Sequence, residues 1–162
     1  MKQPEFKTVR ALSLVGCAEP IKLSEGDVEG VGRAWQRLFA EPCLNEASRL
    51  EPSVFWGATY GFDQDQQTFF AGQEGTGRSD GQAANDRLAR LETTERLYAV
   101  FEHRGHPHQL GQTHGQAYDW IVASDGYTFD APFTLERYDE RCNPEDPEGY
   151  VIDLYYPVRP LS

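Results

Sequence analysis

The chain has few cysteines, a single methionine, little positive charge and no long apolar segment. Its three cysteines, Cys17, Cys43 and Cys142, are far apart and show no metal-ligand spacing. Scattered cysteines in odd number disfavour a disulfide framework or zinc site and are typical of reduced cytosolic thiols. No stretch approaches the about 18 apolar residues of a membrane span, and residues 1–25 lack a signal-peptide pattern. The sequence therefore predicts a cytoplasmic protein.

Basic residues are outnumbered by acidic ones, 15 to 26, and the formal net charge is −11. Such a surface repels the phosphates of nucleic acids and anionic lipid headgroups. We therefore expect neither direct nucleic-acid binding nor membrane binding. Cationic ligands and basic protein surfaces remain compatible partners, although an acidic surface also serves simply to keep a protein dispersed.

Signatures of metal, cofactor and nucleophile chemistry are also missing from the sequence. His103, His106 and His108 cluster, but no carboxylate or cysteine completes a metal-ligand spacing around them or around His114. We interpret them as polar histidines and predict no metal site. No serine has a Gly-x-Ser-x-Gly setting, and no glycine-rich stretch stands at a strand-to-helix turn, so we expect no cofactor.

Two similar successions of strands and helices follow one another along the chain. The second is the clearer, with a strand over Leu97–His103, a helix over about Leu110–Ala123 and strands over Phe133–Tyr138 and Tyr150–Tyr156. The first has a strand over Val9–Val15, a helix opening at Ser24 and limited by Pro42, and strands over Val54–Phe62 and Gln67–Gly72.

A polar, glycine-rich stretch between these successions predicts a connector over about 76–94, with half-repeats of about 8–75 and 95–160. A chain of 162 residues suits one domain over 1–162. The sequence thus predicts an α+β fold, in which duplicated β-α-β-β units form a curved antiparallel sheet with helices on one face and a central cleft.

The segment Phe133–Tyr138 sets a carboxylate among aromatics. Period-two alternation places Thr134, Glu136 and Tyr138 on one face of the strand and Phe133 and Leu135 on the other. If Phe133 and Leu135 pack under the helices, Glu136 lies on the opposite face, either solvated or in a cleft. In a cleft, an unpaired carboxylate is costly, so we expect water or a protonated acid there.

Several motifs together resemble the GyrI-like small-molecule-binding domains, which also occur as effector-binding domains of AraC-type and MerR-type regulators. They are Tyr98-Ala-Val-Phe-Glu-His-Arg-Gly105, Tyr118-x-Trp120, Ser124-x-Gly126-Tyr127, Phe133-x-x-Glu136-x-Tyr138, Tyr155-Tyr-Pro-Val158 and, more weakly, Glu51–Gly57. The resemblance implies a hydrophobic cleft between the half-repeats, where aromatics and a buried glutamate, here Glu136, bind amphipathic and often cationic compounds. Too little precedes Val9 for a helix-turn-helix, so we expect a stand-alone domain.

With that resemblance, the second sheet face lines the cleft, and each aromatic on it is a candidate wall residue as well as a candidate core residue. The predicted ligand-binding residues are Glu136, Tyr138, Trp56, Tyr60, Tyr98, Trp120 and Tyr127.

Three functions are compatible with these residues. The first is a binder that sequesters amphipathic cations or senses them for another protein, such as a regulator. The second is a hydrolase of reactive electrophiles, with Glu136 as general acid or base. The third is an acidic module that covers a basic protein surface, for example on gyrase, as the resemblance implies for some relatives. Its acidic residues are Glu136, Asp139, Glu140, Glu145, Asp146 and Glu148.

Overall fold

The structure, a computed structural model, describes residues 3–22, 28–40, 53–63, 66–75, 89–143 and 145–161. These residues form a nine-stranded sheet in which every pairing is antiparallel, together with two α-helices. The fold is therefore α+β, as the sequence predicts. In the described part of the chain, no helix is long and apolar enough to cross a membrane.

The elements have the following bounds. The strands are β1 (Glu5–Val9), β2 (Ser13–Lys22), β3 (Phe55–Asp63), β4 (Gln66–Glu74), β5 (Ala89–Glu92), β6 (Arg96–Arg104), β7 (Tyr127–Phe129), β8 (Thr134–Tyr138) and β9 (Val151–Pro160). The helices are α1 (Val28–Ala40) and α2 (Leu110–Ala123), and short 3₁₀ turns span Pro107–Gln109 and Pro147–Gly149.

The strongly periodic elements coincide with the predicted ones, and α2 has the predicted bounds. The strand predicted over Val9–Val15 is wrong, because β1 ends at Val9 and β2 begins at Ser13. Residues 23–27, where the first helix is predicted to open, lie outside the described residues. Strand β5 lies inside the predicted connector.

The strand order is β1-β6-β9-β8-β3-β4-β2-β5, with β7 beside the end of β9. The triplet β6-β9-β8 repeats the arrangement of β2-β4-β3 about a central seam between β8 and β3. The short strands β1 and β5 each pair with the triplet that is more distant in the chain. Strand β1, which precedes β2, pairs with β6, and β5, which precedes β6, pairs with β2. At the seam, Gly57 of β3 lies opposite Glu136 of β8.

The sheet is buried on both faces. On one face, side chains such as Trp56, Tyr98 and Leu135 form a cluster that, among the described residues, contains none from either α-helix. On the other, Leu38 of α1 packs over β2 and β4, and Ile121 of α2 packs over β6 and β9. The helices thus lie over the two outer parts of one face, and β3 and β8 run along the floor between them.

Strands β2 and β4 approach closely at Gly16, where an added Cβ would lie 2.0 Å from the Ala71 carbonyl oxygen. Backbone cannot move aside as the end of a flexible side chain can, so we expect Gly16→Ala to lower the free energy of unfolding by about 1–3 kcal/mol. Gly115→Ala is the matched control, because no described atom lies within 4 Å of its new Cβ. In helix α2 this change should raise the free energy of unfolding by about 0.5–1 kcal/mol. Urea unfolding measures both, and equal effects would contradict the close approach.

Candidate functional site

A cleft of about 1370 Å³ lies over the seam, between α1 and α2. Pockets for small molecules commonly have volumes of about 300–1,000 Å³, so this one accommodates a large ligand. Its walls are mainly aromatic and apolar, with Trp35 and Phe39 from α1 and Tyr118 from α2. Polar groups, among them Gln67 and Glu136, lie on strands of the floor.

Helical spacing explains the α1 wall. Val31, Trp35 and Phe39 follow one another at intervals of four residues and line the cleft, while Ala34 and Leu38 pack against the sheet. The Trp35 ring contacts Tyr138 from the second triplet edge-on, with ring centroids 5.1 Å apart. One helix therefore supplies both a core face and a wall of the cleft.

Glycines widen the cleft on both sides. Gly32 of α1 and Gly111 and Gly115 of α2 line it, and a Cβ added to any of them would meet no described atom within 4 Å. Glycine inside a helix costs about 0.5–1 kcal/mol relative to alanine. At each of these positions the missing side chain leaves open space in the cleft.

Glu136 lies on the cleft floor and is only 6% exposed. Its neighbours across the strands are Gly57 of β3 and Leu154 of β9. A Cβ at position 57 would lie 3.1 Å from Glu136 Oε1 and 3.0 Å from Phe69 Cζ. Glycine at position 57 therefore makes room for the carboxylate beside the Phe69 ring.

Both carboxylate oxygens of Glu136 accept hydrogen bonds. His114 Nε2 of α2 donates to Oε2 at 2.8 Å, and the Tyr138 hydroxyl donates to Oε1 at 2.5 Å. On the far side of the imidazole, the Tyr156 hydroxyl of β9 lies 2.6 Å from His114 Nδ1. The four side chains form one continuous network from the cleft floor to α2.

These partners keep Glu136 ionised. Burial alone would raise the pKa of its carboxyl, but the hydrogen bond and charge of His114 and the hydrogen bond from Tyr138 outweigh burial and lower that pKa below its ordinary value. Burial and the neighbouring Glu136 charge raise the pKa of Tyr138 well above its ordinary value, so its hydroxyl stays a donor. Where the sequence suggests water or a protonated acid, the structure instead places donors from the protein itself beside both carboxylate oxygens.

The structure places two of the seven predicted binding residues, Glu136 and Tyr138, on the cleft. The prediction that Trp56, Tyr60 and Tyr98 face the cleft is wrong, because they pack in or against the cluster on the opposite sheet face. Phe133 and Leu135 do not pack under the helices but in or against that cluster. Glu136 lies on the helix side of the sheet, and Leu135 lies on the other side.

Trp120 and Tyr127 also lie away from the cleft wall. They surround Phe6 of β1, with a centroid distance of 4.2 Å from Tyr127 to Phe6 and 6.1 Å from Trp120 to Phe6. The Trp120 indole N–H donates to the Gln3 side chain. These two aromatics thus pack against β1, the strand that pairs with β6 of the triplet β6-β9-β8.

Sequence reasoning missed Trp35, Phe39, Tyr156 and, above all, His114. The four-residue spacing of Val31, Trp35 and Phe39 was the available signal for the first two. His114 falls inside the predicted helix, but its sequence neighbours give no sign of its partners Glu136 and Tyr156. Among the described residues, no group of three His, Cys, Asp or Glu side chains could hold a metal ion.

The lowered pKa of Glu136 makes stability depend on pH. The ionised form stabilises the fold above the ordinary carboxyl value of 4.5, and this contribution is lost as the pH falls through the lower folded value. We expect Glu136→Gln to lower the free energy of unfolding by about 1–3 kcal/mol at neutral pH. The difference from wild type should shrink at pH values below about 4.5.

Urea unfolding over a pH series measures this difference. Glu102→Gln is the charge-matched control, since Glu102 pairs with Arg104, whose side chain is exposed. Its effect should stay within about 1 kcal/mol at every pH. A Glu136→Gln effect that remains constant down to about pH 3 would contradict a lowered pKa.

Comparison with known proteins identifies the family. The model of the GyrI-like small molecule binding domain matches residues 2–159. The transcriptional regulator BrlR of Pseudomonas aeruginosa is 29% identical over 150 residues, which make up 91% of this chain and 52% of BrlR. The chain therefore spans about half the length of this relative.

Solved structures share the fold. SAV2435 bound to tetraphenylphosphonium superposes with a TM-score of 0.77 at 17% identity, covering 98% of this chain and 94% of that one. EcmrR in a DNA complex gives a TM-score of 0.69 at 12% identity, covering 97% of this chain and 57% of that one. The match over nearly the whole sequence shows that this chain belongs to the GyrI-like small-molecule-binding domain family.

Proposed function

We propose that the domain binds amphipathic aromatic cations in the cleft between α1 and α2, with Glu136 as the anchor for positive charge. The observation that carries this proposal is an ionised carboxylate, 6% exposed, on the floor of an aromatic cleft of about 1370 Å³. Charge attraction is strong where water is largely excluded. Contact of a cation with each aromatic face adds about 0.5–2 kcal/mol.

The hydrogen bonds of Glu136 narrow the class of cation. Because His114 and Tyr138 already donate to its two oxygens, the carboxylate attracts a ligand chiefly through its charge. Cations with delocalised or shielded charge and no N–H donors suit such an anchor. Tetraphenylphosphonium, the ligand bound to SAV2435, is of this class, and that supports the proposal.

Binding would serve either effector sensing or sequestration. BrlR is a transcriptional regulator, and EcmrR is seen in complex with DNA, so related domains occur in proteins of gene regulation. This supports sensing on behalf of a regulator, with a protein partner, as the first role. Sequestration of a drug or toxin requires the same cleft and the same anchor.

Hydrolysis has less support from the geometry. A general acid or base works best when its pKa lies near the operating pH. The pKa of Glu136 is instead lowered, and both of its oxygens already accept hydrogen bonds. These features suit a fixed charge better than a group that exchanges protons with a substrate.

The acidic-module alternative is weakened by burial. Two of its six residues, Glu136 and Asp139, are buried, and Asp139 accepts hydrogen bonds from Arg137 and Arg141. Four exposed carboxylates remain for a basic partner: Glu140, Glu145, Asp146 and Glu148. Contacts made by such exposed charges would weaken strongly with salt.

Fluorescence titration with tetramethylrhodamine methyl ester, an aromatic cation whose nitrogens carry no hydrogen, tests the proposal. We expect saturable binding by the wild type and roughly tenfold weaker binding by Glu136→Gln, equivalent to about 1.4 kcal/mol. Glu102→Gln removes the same charge on the opposite side of the sheet and should bind like the wild type. Equal losses in both variants would show that the net charge of −11 attracts the dye, and would overturn the role of the cleft.

A side chain added inside the cleft should weaken ligand binding without lowering the stability of the fold. Gly115→Leu adds a side chain in the open space along α2, so we expect about tenfold or weaker rhodamine binding with unfolding free energy unchanged or raised by up to about 1 kcal/mol. Gln116→Leu is the control, since Gln116, next to Gly115 in the chain, is exposed and does not line the cleft. If both variants bind the dye as the wild type does, the ligand site lies elsewhere.

A further inference from the structure

His114 stands between the anchor carboxylate and the cleft. Its side chain is 24% exposed, compared with 8% for the side chain of Glu136, to which it donates at 2.8 Å. A proton from solvent can therefore reach the imidazole through the cleft while the carboxylate stays behind it. Any charge that His114 acquires lies in direct contact with the group that would attract a ligand cation.

The surroundings of His114 satisfy it in both protonation states. Neutral His114 donates from Nε2 to Glu136 and accepts at Nδ1 from the Tyr156 hydroxyl, 2.6 Å away. Protonated His114 donates from both nitrogens, and the Tyr156 hydroxyl then donates to the His114 carbonyl oxygen at 3.3 Å. A turn of one hydroxyl exchanges the two arrangements, so neither state leaves a buried donor without an acceptor.

The two states differ in the charge offered to a ligand. With His114 neutral, the pair carries the single negative charge of Glu136; with His114 protonated, the pair is neutral overall. A proton on His114 and an organic cation in the cleft thus compete for the same carboxylate. The hydrogen bond and charge of His114 that lower the Glu136 pKa express this coupling between the two groups.

We propose, resting on the cation-binding function above, that His114 determines which charge class of ligand the cleft accepts. Neutral His114 admits a cation, and protonated His114 favours an uncharged aromatic compound of similar shape. When a cation enters a cleft with protonated His114, the Nδ1–H bond breaks and the proton passes to solvent. Nε2–H remains bonded to Glu136, so charge and hydrogen bonds stay balanced.

Hydroxyl and thiol groups around His114 keep their protons between about pH 5.5 and 8.5, the range in which histidine changes charge. Burial raises the pKa of Tyr156 and, together with the Glu136 charge, that of Tyr138. Burial also raises the pKa of Cys142 and of Tyr150, which line the same cleft. On its own helix, Tyr118 lies one turn further along the wall.

Charged or titratable groups from the other elements have partners or lie at the mouth. His103 of β6 is buried, and its Nε2 bonds to the His106 carbonyl. Asp130, on the connection between β7 and β8, pairs with Arg96, and the exposed His108 lies at the mouth. The described cleft-lining residues of α1 carry no titratable side chain.

Isothermal titration calorimetry with tetraphenylphosphonium tests the inference, because this cation has no proton of its own. We expect the wild type to bind roughly tenfold or more weakly at about pH 5.5 than at about pH 8.5, the range in which histidine changes charge. At intermediate pH, two buffers of different ionisation enthalpy should reveal release of up to about one proton per ligand bound. Triphenylphosphine oxide, uncharged and similar in shape, should not lose affinity at acid pH.

Single substitutions show which residue releases the proton when the ligand binds. His114→Gln keeps a donor towards Glu136 without a charge, so it should bind tetraphenylphosphonium equally at both pH values and release no proton. His106→Gln, outside the cleft lining, should retain the wild-type pH dependence. Loss of the pH dependence in His108→Gln instead of His114→Gln would overturn the assignment to His114. Circular dichroism confirms that each variant is folded.

The outcomes separate the two proposals. Equal wild-type affinity at both pH values, with binding intact, would overturn the role of His114 and leave the cation-binding function standing. Absence of binding even at about pH 8.5 would remove the cation-binding function and this inference with it.

Discussion

A negative charge held out of water at the centre of the sheet is the constraint on which the cleft depends. An isolated buried carboxylate would cost several kcal/mol, so Glu136 requires donors, and His114 and Tyr138 supply them. It also requires space, which Gly57 provides on the neighbouring strand. Each requirement is met by a different element, since α2 brings the imidazole, β8 the phenol and β3 the missing Cβ. All three meet at the seam between the triplets.

The long elements of the fold could be predicted because each has its own internal pattern. Helix α2 lies between a proline turn and Ser124, and β6, β8 and β9 have aromatic or β-branched runs. Three short strands, β1, β5 and β7, escaped prediction. Their pairing partners lie far away in the chain, and nearest-neighbour patterns contain no information about such partners. Strand β1 is mostly exposed, so it lacks even the alternation of a half-buried strand.

Of the predicted site residues, Glu136 and Tyr138 lie on the cleft, whereas most of the others lie elsewhere. Alternation correctly grouped Glu136 with Tyr138, but it could not show which face lies beneath the helices, because this sheet buries apolar side chains on both faces. Trp56, Tyr60 and Tyr98 were assigned to the wrong side for that reason. His114 was missed because its significance depends on Tyr156, forty-two residues further along the chain, and on Glu136.

The exchange of β1 and β5 between the triplets has a mechanical consequence. Strand β1 precedes the triplet β2-β4-β3 in the chain but pairs with β6 at the outer edge of the other triplet. Strand β5 precedes the triplet β6-β9-β8 but pairs with β2 at the outer edge of the first. Prising the triplets apart would break backbone ladders at both outer edges as well as at the seam. Opening the cleft about the seam as a hinge would therefore require these ladders to break. Either half-repeat produced alone would expose an unpaired strand edge, which promotes aggregation.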